Sequence, residues 1–267
     1  MFIALAAILL AACGGPCENY ARKLSLAMIS TFPIAVASAS VAGSLAALAA
    51  HSAVSPSSQL FGATIRLTGN ASSMALTFDD GPNPSVTPQM LDLLDRHRAR
   101  ATFFLIGRHA AAAPALVREI AARGHALGNH THTHPSLIFL SPRRIAEELA
   151  RCDAAIASAA GQPPRWMRPP YGFRGPQLRS ALRHRQGEPR PIMWSRMACD
   201  WRPQPPEPVI RRLRRARGGD IVLLHDGDHR VLDGDRFHTL RALEYWLPRW
   251  TAAGLKFASL DDISGGA

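Results

Sequence analysis

Two adjacent carboxylates, Asp79 and Asp80, follow the apolar run Met74–Phe78 and precede a Gly-Pro turn. Neighbouring like charges repel, so a proton or a nearby cation has to relieve them. Further along, "NHTHTHP" carries His130, His132 and His134. His130 and His134 are spaced i, i+4, which one helical turn would bring together; an extended strand would instead put all three imidazoles on one face. Two imidazoles and one carboxylate form a donor set that suits Zn²⁺ and leaves coordination positions open, the mark of a catalytic rather than a structural site. A bound dication would relieve the acid pair, one carboxylate ligating it and the other free to accept a proton. His132 is expected to stand outside the donor set.

The elements around these residues are legible as alternation. Strands are predicted at Met74–Phe78, Ala101–Leu105, His125–Gly128, Trp166–Arg168, Ile192–Trp194, Ile221–Leu224 and Lys256–Ser259. Amphipathic helices are predicted between them, at Thr87–His97, Pro114–Arg123, Pro142–Ala159, Pro176–Arg185, Pro208–Arg217 and His238–Ala253. Several open on proline, whose missing N–H costs little in the first turn. Strand–helix alternation argues a parallel sheet with helices outside, as a barrel or doubly wound. Such folds build their sites at the C-terminal strand ends. The polar groups recur there: Asp79 and Asp80, the three histidines, Arg168 to Gly172, Asp200-Trp201, and His225-Asp226.

Composition narrows the function classes. The chain has 267 residues, 47% hydrophobic and 19% charged, so it can bury a sizeable core and is not disordered throughout. The formal charge of +11 is carried almost entirely by arginine. No basic stripe is interleaved with aromatics, so a nucleic-acid partner is not expected. The run Arg211, Arg212, Arg214, Arg215 and Arg217 is read as a solvated helix face, with a weak pull on an anionic polymer such as cell-wall glycan. The four cysteines show no CxxC spacing, which disfavours a zinc knuckle, and Cys199 is read as a packed thiol.

Residues 1–58 differ from the rest. Leu10-Ala11-Ala12-Cys13 resembles a lipoprotein cleavage box but has no preceding Lys or Arg. Arg22 and Lys23 precede an uncharged stretch, Leu24–Ala50, that reads as a signal peptide or single membrane anchor. An exported or membrane-anchored protein of the periplasm or cell envelope is expected, attached to the membrane through this segment if it is retained. A start assigned too far upstream is the alternative. A folded α/β domain is expected over 72–263.

Five motifs in order, "TFDDGP" (Thr77–Pro82), "HTHTHP" (His130–Pro135), "RPPYG" (Arg168–Gly172), "DW" (Asp200–Trp201) and "LLH" (Leu223–His225), resemble the polysaccharide deacetylases, the NodB-homology family or carbohydrate esterase family 4. "ATFFLIG" (Ala101–Gly107) and "GNHT" (Gly128–Thr131) are similar to the family's connecting sequence, and the resemblance spans roughly Ser72 to Ile263. It implies a distorted (β/α) barrel of parallel strands with outer helices. It also implies one divalent metal, Zn²⁺ or alternatively Co²⁺, and removal of N-acetyl groups from N-acetylglucosamine-containing glycans, peptidoglycan or chitin-like. By the same resemblance Asp80, His130 and His134 are the metal ligands, Asp79 the general base, and Arg168 the partner that keeps it ionised. The Tyr171 backbone N–H would help hold the oxyanion. Asp200 would orient His225, the general acid, while Trp201 and Leu223 would wall the pocket for the acetyl methyl.

The chemistry makes matching demands. An amide carbonyl is a poor electrophile and an amine a poor leaving group, so hydrolysis needs an activated water, a polarised carbonyl and a proton donor. One departure stands out: the family pattern has an acid three residues before the Asp of "DW", and here that position is Met197. Alternatives are a hydrolase of small non-sugar amides or imides on the same site and a catalytically silent glycan-binding module. An HD-type phosphohydrolase at His225-Asp226 is disfavoured because the pair follows an apolar β-like run.

Overall fold

The computed structural model describes residues 33–183, 185 and 190–264. The chain divides into two units, 1–52 and 53–267. Helix α1 is Pro33–Val54. The lipoprotein-like box at Leu10–Cys13, Arg22, Lys23 and the start of the apolar stretch at Leu24 lie outside the described residues. Among the described residues no helix is long and apolar enough to cross a membrane.

In the second unit the chain runs β1 (Ser73–Gly81), α2 (Thr87–Arg96), β2 (Ala101–Leu105), α3 (Gly107–Ala112), α4 (Pro114–Ala122), β3 (Ala126–Asn129), α5 (Pro142–Ala160) and β4 (Trp166–Met167). It continues with α6 (Pro176–Leu182), β5 (Arg196–Met197), α7 (Pro206–Leu213), β6 (Ile221–His225), α8 (Phe237–Ala252), β7 (Lys256–Phe257) and α9 (Leu260–Ser264). The described strands pair in parallel in the order β4-β3-β2-β1-β6-β5, with β7 on the first residues of β1. The chain before β1 joins the same unit, since Ile65 bridges Ile192 and Leu67 bridges Asp220.

Both faces of the central strands are buried, and the strand period of two sorts them. Along β1, Met74, Leu76 and Phe78 pack outward with Met90, Leu91 and Leu94 of α2, while Ala75 packs inward with Phe104, Trp166, Trp194, Ile221 and Leu223. Phe78 stacks on Phe103 of β2 at 4.9 Å between ring centroids. Each such fully buried side chain contributes about 1.5–3 kcal/mol. Inward parity therefore puts Thr77 and Asp79 on the same side as Leu223 and His225, their register partners on β6.

The segment 192–198 closes the sheet into an irregular barrel. Ile192 N–H donates to Met167 O on β4 (2.9 Å), Met193 N–H to Ile65 O (2.7 Å), and Ala198 N–H to Leu223 O on β6 (3.1 Å). This corrects the strand expected at Ile192–Trp194, where Ile192 makes a single bridge and the pairing strand is Arg196–Met197. A segment that crosses from one sheet edge to the other stays beside no partner long enough to form a full ladder. Two helix expectations also change. Gly107–Ala112 is helical, and α7 runs from Pro206 only to Leu213, so Arg214, Arg215 and Arg217 follow it rather than lie on its face.

Candidate active site

Consecutive residues of a regular strand face opposite sides, so Asp79 and Asp80 would ordinarily be separated by the sheet. A register shift removes the conflict: Asp79 pairs Phe104 of β2, the next pair is Gly81 with Leu105, and Asp80 is the extra residue of a bulge. Its φ of 71° is left-handed, as the first residue of such a bulge can require. Both carboxylates are thus buried beside His130. Gly81 permits the close approach beneath them, because a Cβ there would lie 2.5 Å from Asp226 Oδ2.

The histidine loop is neither the helix nor the strand that i, i+4 spacing allowed. It leaves β3 and turns twice through left-handed backbone, at Thr131 (φ 65°) and His134 (φ 60°). Asn129 braces it: its Oδ1 accepts from Thr131 N–H (2.8 Å), and its amide donates to Leu149 O (2.8 Å) and Asp153 Oδ1 (2.7 Å) of α5. Glu148, on the same helix, accepts from the backbone N–H groups of His132 (3.0 Å) and Thr133 (2.8 Å) and from the Thr133 hydroxyl (3.0 Å). Helix α5 is itself defined by Ser141 accepting from Arg144 N–H at its start and left-handed Gly161 at its end.

The outcome is a compact donor group. His134 Nε2 lies 3.2 Å and His130 Nε2 3.5 Å from Asp80 Oδ1, and donor atoms of the three residues all lie within 4.8 Å of one another. His132 is not in the group. His130 Nδ1 donates to Arg168 O at 2.8 Å, since a carbonyl can only accept, and this leaves the Nε2 lone pair free. Burial pushes the His130 imidazole down to about 4, and burial and the neighbouring imidazoles depress His134 as well, so both rings are neutral. Asp80 is pushed up to about 7 by burial, with His225 opposing and Asp79 reinforcing the shift. Its Oδ1 is buried without a hydrogen-bond partner. Bonds of about 2.0–2.1 Å in a tetrahedral shell place ligand atoms about 3.4 Å apart, so these residues fit a dication.

Two charged pairs flank the group. Arg168, wholly buried, donates to Asp79 Oδ1 (2.7 Å), Thr77 Oγ1 (2.8 Å), Ile192 O (3.2 Å) and Met193 O (3.3 Å). Its guanidinium lies 4.3 Å from the Phe104 ring centroid. Burial draws Arg168 below its usual pKa, yet a guanidinium so bonded stays charged beside the carboxylate. On the opposite flank, Asp200 accepts from His225 Nδ1–H (2.9 Å), His225 N–H (2.9 Å) and the Thr239 hydroxyl (2.8 Å). Burial alone would lower His225; the Asp200 charge and hydrogen bond, with Asp80 and Asp79 beyond, outweigh it and raise the imidazole to about 9.

The remaining expected residues ring this centre. Tyr171 is half-exposed and left-handed (φ 59°), its ring edge-on to His134 at 4.6 Å. Trp201 is partly exposed, 6.3 Å from the His225 ring, and Leu223 is buried in the inner cluster beneath. Met197 packs against that cluster, and Cys199 takes a left-handed turn (φ 53°) before Asp200. Of the six described non-glycine residues with positive φ, only Arg98 lies away from these loops. Strain costing about 1–3 kcal/mol per residue has collected where side chains must be re-aimed.

Sequence reasoning missed Thr77, Asn129, Glu148, His229 and Thr239. Thr77 could have been found by strand parity, two residues before Asp79. His229 follows a strand end and could have been found by the rim rule. Glu148 and Thr239 lie on helices and carry no local signal.

A family model described as polysaccharide deacetylase matches residues 66–186, a span holding Asp79, Asp80, His130, His134, Arg168 and Tyr171 but ending before Asp200 and His225. A chitooligosaccharide deacetylase of Bradyrhizobium sp. (strain ANU 289) is 40% identical over 199 residues, covering 72% of this chain and 90% of its own. A peptidoglycan-N-acetylglucosamine deacetylase of Bacillus cereus is 32% identical, covering 73% and 69%. The solved structure of a family 4 carbohydrate esterase from Streptomyces lividans, in complex with acetate, superposes with a TM-score of 0.63 at 30% identity, covering 71% of this chain and 93% of that one.

Proposed function

Because the chain belongs to the polysaccharide deacetylase family, we propose that it hydrolyses N-acetyl groups on N-acetylglucosamine-containing glycans, peptidoglycan or chitin-like oligosaccharides, using one divalent metal held by Asp80, His130 and His134. Zn²⁺ is the metal that this donor set favours, with Co²⁺ as a substitute. The observation that carries the reading is the register pairing of Asp79 with His225 on inward faces of adjacent strands, one carboxylate and one cationic imidazole flanking the donor group.

When bound, the dication supplies a Lewis acid that polarises the acetyl carbonyl and lowers the pKa of water from 15.7 toward about 7. Asp79, ion-paired with Arg168 at 2.7 Å, takes the proton of the attacking water. The Tyr171 N–H, on its left-handed turn, is assigned to the oxyanion of the tetrahedral intermediate; loss of one such donor costs about 3 kcal/mol. His225, cationic through Asp200, delivers the proton that lets the sugar nitrogen leave. Trp201 and Leu223 are assigned to the acetyl methyl.

Acetate release from chitooligosaccharides, from peptidoglycan and from small amides, with Zn²⁺ or Co²⁺ added, tests this. Release from either glycan supports it; release from small amides alone moves the substrate class, and retention on a glycan column without acetate indicates a silent binding module. Residues 1–58 are proposed to export the protein or anchor it to the cell envelope, beside such a polymer, which fractionation of the host cell checks.

A further inference from the structure

The loop after β6 brings one more imidazole to the centre. His229 lies flat on His134, with ring centroids 4.5 Å apart and planes at 24°, and its Nδ1 is 3.9 Å from Asp80 Oδ2. The two oxygens of Asp80 are therefore divided: Oδ1 faces His130 and His134, while Oδ2 faces His229. The loop is seated on the acid pair itself. Gly227 N–H donates to Asp79 O (3.4 Å), and a Cβ on Gly227 would lie 2.2 Å from Asp80 O.

Both sides of His229 are fastened. Its carbonyl accepts from Arg108, and Asp228 is held by the buried Arg236 (2.8 Å), whose same nitrogen reaches Trp201 O (2.8 Å). The imidazole itself stays partly exposed, at 30%. Its gap to Oδ2 exceeds a hydrogen bond of about 3.0 Å by less than 1 Å.

We infer that His229 is a positioning residue for the metal: its Nδ1–H donates to Asp80 Oδ2 and so orients the carboxylate whose Oδ1 ligates. Ligating carboxylates are commonly held by such an outer partner, and losing one costs about 10–100-fold in metal affinity. This rests on the metal reading of Asp80, His130 and His134 given above.

The test is Zn²⁺ affinity by chelator competition for the full chain and for His229→Ala, His229→Phe and His229→Asn, with melting curves in excess chelator as a check on folding. Asparagine keeps a donor near the Nδ1 position; phenylalanine keeps only the flat ring. His229→Ala and His229→Phe are expected to bind Zn²⁺ about 10–100-fold more weakly, and His229→Asn to recover to within about threefold of the unaltered chain, all with unchanged metal-free melting. Unaltered affinity in His229→Ala overturns the inference, as does a His229→Phe that matches the unaltered chain or a His229→Asn no better than alanine. If the unaltered chain binds no Zn²⁺ or Co²⁺, the metal reading itself fails and this inference falls with it.

Discussion

Asp200→Asn separates the proposed proton-donor role of His225 from everything else at the site. Asp200 is wholly buried and gives three hydrogen bonds' worth of acceptors, two of them to His225. Its charge and hydrogen bonds are the chief influence against the burial that would otherwise lower the imidazole, and the net effect raises it from 6.5 to about 9. At 1.36 kcal/mol per pKa unit, that is about 3 kcal/mol of preference for the cation. Asparagine keeps the size and loses the charge, so burial takes over and His225 falls to 6.5 or lower. At pH 8 the cationic fraction then drops from about nine-tenths to about one-thirtieth, and kcat with it by about 30-fold. The sign follows from the role: a cationic acid is lost as pH rises, so the basic limb of the profile moves down. A bound dication pushes His225 the same way, which places the unaltered limb at or below about 9. Acetate release across pH 5–10 at saturating Zn²⁺ reads the limb, and Zn²⁺ affinity should stay unchanged because Asp200 is not in the donor group. A basic limb that does not move, or a kcat at pH 8 within threefold of the unaltered enzyme, would refute His225 as the acid held by Asp200.

Other outcomes follow from the same geometry. Asp80 is protonated below about 7 in the metal-free protein, so Zn²⁺ affinity should fall about tenfold per pH unit between 7 and 5.5 and be flat just above 7; titrations at fixed pH values check it, and constant affinity across that range would exclude the assignment. Arg168→Met leaves Asp79 buried without its cation, which should cost about 3–5 kcal/mol and lower the melting temperature by more than about 6 °C, with Asp79→Asn in the same chain restoring part of the loss. Gly81→Ala drives a methyl to 2.5 Å from the Asp226 carboxylate and should shift the bulge, weakening Zn²⁺ binding as well as lowering the melting temperature.

What was legible in the chain was the set of polar residues and the rim that gathers them. Apolar runs ending in polar residues located β1, β3, β4 and β6, and parallel alternation put their C-terminal ends on one face, where Asp79, Asp80, His130, His134, Arg168 and His225 meet. The strand at Ile192–Trp194 was misplaced because apolar content reports burial, and this segment is buried while crossing between two sheet edges. The i, i+4 histidines converge without a helix, because Thr131 and His134 turn left-handed and Glu148 and Asn129 hold the backbone from α5 and β3. Neither the handedness nor the brace has a local signature, since both are settled by contacts across the fold.

The acid pair shows the limit most sharply. Strand parity alone places neighbouring residues on opposite faces, which would leave Asp79 inside the barrel and Asp80 among the outer helices. The metal ligand and the base proposed above could not then share one substrate. The bulge at Asp80 dissolves that contradiction at the cost of a left-handed non-glycine residue, and the glycines beside it, Gly81 and Gly227, are the residues whose missing side chains leave room for the turn. The side-by-side acids of the sequence thus required a backbone irregularity for their chemistry to be usable, and the short aspartate side chain tolerates the left-handed conformation better than most. Asp80 therefore serves the site twice, through its carboxylate and through the backbone conformation that carries it there.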